Sequence, residues 1–189
     1  MPTRKDYVDL LQQKKNKFRP ADFAIQEGTS VTDIKYGFLG TFLDWRLWAE
    51  RYMLVTSAYR KNDPRAHGYG LALDIILFNK WLQEITSPKE QWLKATTWPF
   101  KGVGIYFDWH YRDKSGERQK AVGLHVDRFY ESRPLRWLRI TKEVSINGNE
   151  IKPHRLYYYQ DPKTGLFYNN DIKETVSLNE VIETWEESK

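Results

Sequence analysis

The spacing of apolar residues predicts three helices in the first half of the chain. Apolar side chains recur on one face of residues 4–16, which predicts a short surface helix. Residues 35–53 carry a broader stripe of aromatic and aliphatic side chains at intervals of three and four, which is typical of a helix buried in the core. A third helical pattern covers residues 78–95 and is interrupted near Ser87 and Pro88.

Shorter apolar or alternating segments predict strands. Residues 54–60 and 71–76 are short, rich in aliphatic residues and bounded by turn residues. Residues 103–112 and 120–130 are separated by a polar turn, so they predict a β-hairpin.

Alternation within this hairpin predicts which polar side chains lie together. On the first strand Tyr106, Asp108 and His110 should share a face, because side chains two residues apart point the same way. On the second strand the same rule places His125 and Asp127 on one face.

The order of these elements predicts an α+β fold with helices packed on a mainly antiparallel sheet and a functional site on the sheet. Three regions are expected: an N-terminal helix and loop (1–34), a central domain (35–140) and a C-terminal β-rich appendage (141–189). The appendage contains tight turns, many tyrosines and an acidic helix near its end.

Composition excludes several kinds of site. The 189 residues include no cysteine, so a thiolate nucleophile and a cysteine-ligated zinc finger are excluded, and any metal must bind through His, Asp, Glu or backbone oxygen.

The net charge is +5, but lysine and arginine are dispersed along the chain, so nucleic-acid binding is not expected. We find no signal peptide and no membrane span, so we expect a soluble product made in the cytoplasm.

The candidate site is built around Asp74, which lies inside an apolar run. A buried ionised carboxylate is costly unless it is paired or bound to a metal. His67 precedes Asp74 by seven positions and His125 follows it on the hairpin, so the three residues could supply the ligands of one metal ion. Backbone amides or the guanidinium of Arg60 could instead satisfy Asp74 without a metal.

The chain resembles the zinc D-Ala-D-Ala carboxypeptidases and related endopeptidases of the Hedgehog/DD-peptidase fold, especially the branch common in bacteriophages. The resemblance covers about residues 36 to 140 and rests on four segments in the family's order. They are Ser-Ala-Tyr-Arg at 57–60, His-Gly-Tyr-Gly-Leu-Ala-Leu-Asp-Ile at 67–75, Gly-Val-Gly-Ile-Tyr at 102–106 and His-Val-Asp at 125–127.

The resemblance implies a set of roles. It implies Zn²⁺ ligands at His67, Asp74 and His125. It implies substrate-binding residues at Arg60, Ser57 and Tyr106.

Two positions depart from the family pattern. Arg65 replaces the serine that usually precedes the first histidine by two residues, and Val122 replaces the acid that several active members place three residues before the last histidine. The candidates for catalytic proton transfer are therefore Asp127, Asp108 and His110. Asp127 could instead orient His125.

These roles lead us to expect a zinc-dependent peptidase that cleaves peptide bonds of peptidoglycan. We expect a bacteriophage to encode it, either as an endolysin or as an enzyme associated with the virion, for example with the tail. It would be made in the host cytoplasm and would act at the cell wall or within a virion. The main alternative is a virion structural or adaptor protein that reuses the fold without activity and contacts other virion proteins through residues 141–189. A further alternative is a wall-binding module that uses the groove without cleavage.

Overall fold

A computed structural model describes residues 1–13, 17–129, 134–146 and 150–188. Within these ranges the helices are α1 (Arg4–Gln13), α2 (Tyr36–Ala49), α3 (Pro88–Thr96) and α4 (Leu178–Glu187). The strands are β1 (Tyr52–Ser57), β2 (Ala72–Lys80), β3 (Glu84–Ile85), β4 (Gly102–Arg112), β5 (Arg118–Asp127), β6 (Leu135–Val144), β7 (Lys152–Gln160), β8 (Phe167–Asn169) and β9 (Glu174–Val176). Residues 14–16 of the first predicted helix, residue 130 of the predicted hairpin and residue 189 of the predicted C-terminal helix lie outside the described ranges.

The strands form one open sheet in the order β1-β2-β5-β4-β6-β7-β8-β9, and β3 pairs with β2. Among the described strands every pairing is antiparallel except that of β4 with β6. This confirms the prediction of an α+β protein with a mainly antiparallel sheet.

The sheet has two different faces because side chains alternate along each strand. On β2, Leu73 and Ile75 belong to the large core that the helices cover, and we call this side the helix face. Asp74 lies between them in sequence and therefore points to the opposite side, which we call the site face. Ile76 and Phe78 extend the site face into a second, smaller apolar cluster. Asp74 thus lies on the face that the helices leave uncovered.

Helix α2 is the core helix that the sequence predicts. Phe38, Phe42 and Trp45 are buried on it, and the indole nitrogen of Trp45 donates a hydrogen bond of 2.9 Å to the carbonyl of Lys94. The helix ends where Glu50 adopts a left-handed backbone conformation with φ of 52°. Among the helices of the described ranges, the structure shows none that is long and apolar enough to cross a membrane.

The prediction of a helix over residues 78–95 is wrong in its first half. Strand β2 continues to Lys80, and β3 then pairs back onto it after a turn in which Leu82 has a positive φ of 52°. The apolar residues of this segment pack on the second apolar cluster of the site face rather than along a helix. The helix begins only at Pro88, where the Ser87 hydroxyl accepts a hydrogen bond from the backbone N–H of Glu90.

The C-terminal segment is β-rich as predicted, but it is part of the sheet rather than a separate appendage. Strands β7, β8 and β9 extend the sheet beyond β6, and Tyr158, Phe167 and Trp185 are buried in the main core. Phe167 makes an edge-to-face contact with Trp92 of α3 at a centroid distance of 5.5 Å. Because the parallel β4–β6 pair joins the two parts, residues after 141 can contribute to the site.

Candidate metal centre

Three elements bring His67, Asp74 and His125 together. His67 lies on a short 3₁₀ turn after β1, Asp74 lies on β2, and His125 lies opposite Asp74 on β5. One potential ligand atom from each residue lies within 4.8 Å of the other two, and all three side chains are buried. The structure therefore joins the three residues that the sequence proposes as metal ligands into one group.

Each histidine of this group has one ring nitrogen held from outside the group and the other directed at Asp74. Nδ1 of His67 lies 2.5 Å from the carbonyl oxygen of Ala58, and Nε2 of His125 lies 2.9 Å from Oδ2 of Asp127. On the inner side, Nδ1 of His125 lies 2.8 Å from Oδ1 of Asp74, and Nε2 of His67 lies 3.4 Å from Oδ2. Histidines that bind metals usually donate their other N–H to such an acceptor.

A buried nitrogen without a partner supports the fit to a metal ion. In the part of the chain that the structure describes, Nε2 of His67 has no hydrogen bond although it is fully enclosed. Two imidazole nitrogens and a carboxylate are the donor set of many three-ligand zinc sites. The residues therefore fit a zinc ion, and the geometry by itself shows a group that could hold a metal.

The charges of the group are strongly coupled. Burial opposes ionisation of Asp74, but the hydrogen bond from His125 and the charge attraction of both histidines hold its pKa below the ordinary range. Burial likewise opposes charge on His125, but its bonds to Asp127 and Asp74 raise its pKa to about 9. Without a metal, His125 is therefore a cation at neutral pH, and a metal must displace its proton.

Arg60 gives Asp74 a second cationic partner. Nη2 of Arg60 donates to Oδ2 of Asp74, and its Nε donates to the hydroxyl of Ser57 at 2.7 Å. The Arg60 side chain is 39% exposed, so it also reaches the mouth of the site. The ion pair that the sequence left as an alternative explanation of Asp74 is therefore present, and the burial of Asp74 does not by itself require a metal.

Asp127 is placed to orient His125. It is buried, its Oδ2 accepts from His125, and its Oδ1 accepts from the backbone N–H of Phe129 at 2.9 Å. The carboxylate lies flat against Gly102, where a Cβ atom would stand 2.0 Å from Oδ2. Both oxygens are occupied by groups of the protein, so orientation of His125 is the role that this geometry supports.

The group lies in a small cavity of about 130 Å³ on the site face. Tyr106 and Arg139 line the cavity, and the Arg139 guanidinium lies 4.0 Å from the centroid of the Tyr106 ring. Trp137 packs on His125 with a centroid distance of 4.9 Å, and it occupies the space above Gly104. Other lining residues are Arg60, Asp63, Arg65, Tyr157 and Tyr159.

The structure does not bring Asp108 and His110 to this cavity. A β-bulge between Tyr106 and Trp109 breaks the alternation, so the predicted common face of Tyr106, Asp108 and His110 is wrong. Asp108 instead binds the Arg139 guanidinium at 2.7 and 2.8 Å, and both Asp108 and exposed His110 line a separate shallow depression.

Sequence reasoning missed several residues of the cavity. Asp63 lies in the turn before His67, and its Oδ2 lies 3.6 Å from Nη1 of Arg60. Among the described residues that line the cavity, it is the one carboxylate that does not bond to an imidazole. Tyr157 and Tyr159 were assigned to an appendage. Their spacing of two along an alternating strand was the available signal, but its use required knowing that β7 pairs with β6.

A comparison of the chain with protein-family models, curated proteins and solved structures finds no match.

Proposed function

We propose that this protein is a zinc-dependent peptidase that hydrolyses peptide bonds of peptidoglycan, encoded by a bacteriophage and acting as an endolysin or as part of a virion. The observation that carries the proposal is the convergence of His67, Asp74 and His125 in one cavity, with the outer nitrogen of each imidazole held by another acceptor. The four sequence segments that resemble the zinc DD-peptidases supply the reaction class and the substrate class.

The residues proposed to hold zinc are His67 through Nε2, Asp74 through its carboxylate and His125 through Nδ1. A bound zinc ion would supply Lewis acidity, which polarises a substrate carbonyl and lowers the pKa of water. The carbonyl of Ala58 fixes the ring of His67, and Asp127 fixes the ring of His125. These contacts keep both inner nitrogens directed at one point and so reduce the reorganisation needed when a ligand binds.

The arginines at the mouth of the cavity are suited to the carboxylate groups of stem peptides. Arg60 is partly exposed, and the Arg65 side chain is 74% exposed at the rim. A guanidinium binds a carboxylate through two parallel N–H···O bonds, which fixes orientation as well as adding affinity. In this proposal the arginines orient the peptide so that its scissile carbonyl enters the cavity beside Tyr106.

Asp63 is the proposed proton acceptor. Both oxygens of Asp127 accept from groups of the protein, His125 and the backbone N–H of Phe129, and Asp108 does not line the cavity. Asp63 lines the cavity beside Arg60 and replaces the acid that the resemblance would place at Val122. A carboxylate at this position can take a proton from water and return it to the leaving amine.

Metal analysis and an activity assay test the function together. The purified protein should retain close to one equivalent of zinc and release peptides or amino acids from purified peptidoglycan. His67→Ala and Asp74→Ala should abolish both properties, while His110→Ala, which removes an exposed histidine outside the cavity, should keep them. Retention of less than about a tenth of an equivalent of zinc after mild purification would overturn the proposal, given the affinity of such ligand sets.

Two observations favour a second candidate function, a virion structural or adaptor protein without activity. The Arg60–Asp74 ion pair satisfies the buried carboxylate without a metal, and Val122 stands where several active relatives of the resembled family carry an acid. The two candidates differ in the response to zinc. Added zinc should raise the melting temperature of a zinc peptidase, because it binds the folded state, and should leave that of a metal-free structural protein unchanged.

A further inference from the structure

A single cross-strand row connects the candidate metal centre with the far part of the sheet. Residues that pair directly across neighbouring strands occupy this row, and all of them project to the site face because cross-strand partners share a face. In order from β1 to β9 the row is Ser57, Asp74, His125, Gly104, Trp137, Tyr159, Tyr168 and Thr175.

Three consecutive members of this row carry large rings, and we call Trp137, Tyr159 and Tyr168 the aromatic row. Their exposure increases away from the metal centre. Trp137 is 7% exposed and packs on His125, whereas Tyr159 is 50% and Tyr168 is 41% exposed. Tyr159 and Trp137 also line the cavity, so the aromatic row begins in the site and continues onto the open surface.

The uncharged side chains of the aromatic row suit a neutral, ring-shaped ligand. Its three side chains are uncharged, and the next position along the cross-strand row is Thr175. Half-exposed tyrosine rings offer an apolar face to a ligand and carry a polar hydroxyl at the edge of the ring. Pyranose rings match this surface, because they combine an apolar C–H face with hydroxyl groups at the edge.

The dimensions also suit a polysaccharide. Neighbouring strands lie about 4.8 Å apart, so the three aromatic positions span roughly 10 Å across the sheet. This distance is comparable with two linked sugar rings. A polymer that crosses the sheet along this row would present its substituents to the cavity at the Trp137 end.

We propose that the aromatic row binds the glycan strand of peptidoglycan and places the attached stem peptide at the cavity. The identity of the polymer rests on the proposed function, whereas binding of a β-1,4-linked aminosugar chain by this surface can be tested independently. The row would act as a binding subsite that favours polymeric substrate over free peptide.

Binding is measured by isothermal titration with a soluble oligomer of β-1,4-linked N-acetylglucosamine, and by sedimentation with glycan strands freed of their stem peptides. A chelator is present throughout, so that no cleavage step contributes. Tyr159→Ala and Tyr168→Ala should each weaken binding by roughly three- to tenfold, which is the effect expected for the loss of one stacked ring. The control is Tyr52→Ala, which removes a tyrosine of similar exposure, 42%, from β1 near the opposite edge of the sheet and should leave binding unchanged.

Equal binding of the glycan by the unaltered protein and both row variants would overturn the inference. So would stronger binding of free stem peptide than of glycan, with the same sensitivity to Tyr159→Ala and Tyr168→Ala, because the row would then be a peptide site. Failure of the peptidase proposal would give a different result. The protein would then retain no zinc and cleave no peptidoglycan, but it would still bind glycan, and Tyr159→Ala and Tyr168→Ala would still weaken that binding.

Discussion

Replacement of Asp127 by asparagine tests the arrangement of the candidate metal centre most directly. The two oxygens of Asp127 accept from different donors, Nε2 of His125 and the backbone N–H of Phe129, both at 2.9 Å. Asparagine keeps the size of the side chain but has one oxygen, so either orientation of the amide loses one of these two bonds. The buried space against Gly102 leaves little room for the side chain to move away.

The size of the effect follows from the bond that is lost. A hydrogen bond to a charged group contributes about 1.5–3 kcal/mol, which corresponds to roughly 10- to 100-fold in an equilibrium constant. We therefore expect Asp127→Asn to weaken intrinsic zinc affinity by this factor. The same substitution should lower the pKa of His125, because the hydrogen bond to Asp127 is the largest contribution that raises it to about 9.

These two effects oppose each other at neutral pH, so the assay must separate them. At pH 7 the protonated form of a group with a pKa near 9 outnumbers the neutral form by about 100 to 1, and this proton competes with zinc. Zinc affinity is therefore measured by competition with a chromophoric chelator over a pH series and compared where proton competition has ended. The pKa of His125 is followed separately by NMR in the metal-free protein.

The control for this experiment is Asp108→Asn, which removes a carboxylate bound to Arg139 rather than to an imidazole. It should leave both the limiting zinc affinity and the pKa of His125 unchanged. If Asp127→Asn and Asp108→Asn both gave the same limiting affinity as the unaltered protein, then Asp127 would not orient a metal ligand.

Three further predictions follow from the same geometry. Zinc affinity of the unaltered protein should rise about tenfold per pH unit from 6 to 8, because His125 releases its proton on binding; a flat profile by chelator competition would show that His125 is not a ligand. Asp63→Asn should reduce kcat/KM for peptidoglycan cleavage by roughly 10²- to 10⁴-fold with unchanged zinc content, and an unchanged rate would remove Asp63 as the proton acceptor. Gly104→Ala should lower the free energy of unfolding, measured in urea, by about 1–3 kcal/mol, because its Cβ would lie 2.2 Å from the Trp137 ring. The control Gly40→Ala, which has open space inside a helix, should raise the free energy of unfolding by about 0.5–1 kcal/mol. Equal effects of the two substitutions would contradict the close packing at Gly104.

The members of the metal group were predictable from local rules, but the pairing that joins them was not. The cost of burying Asp74 marks it as a residue that needs a partner, and strand alternation alone places His125 and Asp127 on one face. The structure adds that Asp74 and His125 are register partners on neighbouring strands. Local pattern does not specify strand pairing, so this contact could only be inferred from the resemblance.

The errors arose where long-range packing overrode the local pattern. Trp81 and Leu82 fit a helical stripe, but they pack on the second apolar cluster of the site face instead. The bulge after Tyr106 redirects Asp108, and no residue type in that segment announces it. The contribution of Tyr157 and Tyr159 depends on parallel pairing of β4 with β6, a contact between segments that no short-range signal connects.

The position of β5 within the sheet has a consequence for local opening of the fold. It pairs with β2 on one side and β4 on the other, and its residues from Ala121 to Asp127 are buried on both faces. Strands of this kind exchange their amide hydrogens only when large parts of a protein unfold, whereas edge strands fray at little cost. His125 is therefore carried by the segment expected to exchange most slowly, so fraying of β9 at the far edge of the sheet would leave His125 and its partner Asp74 in place.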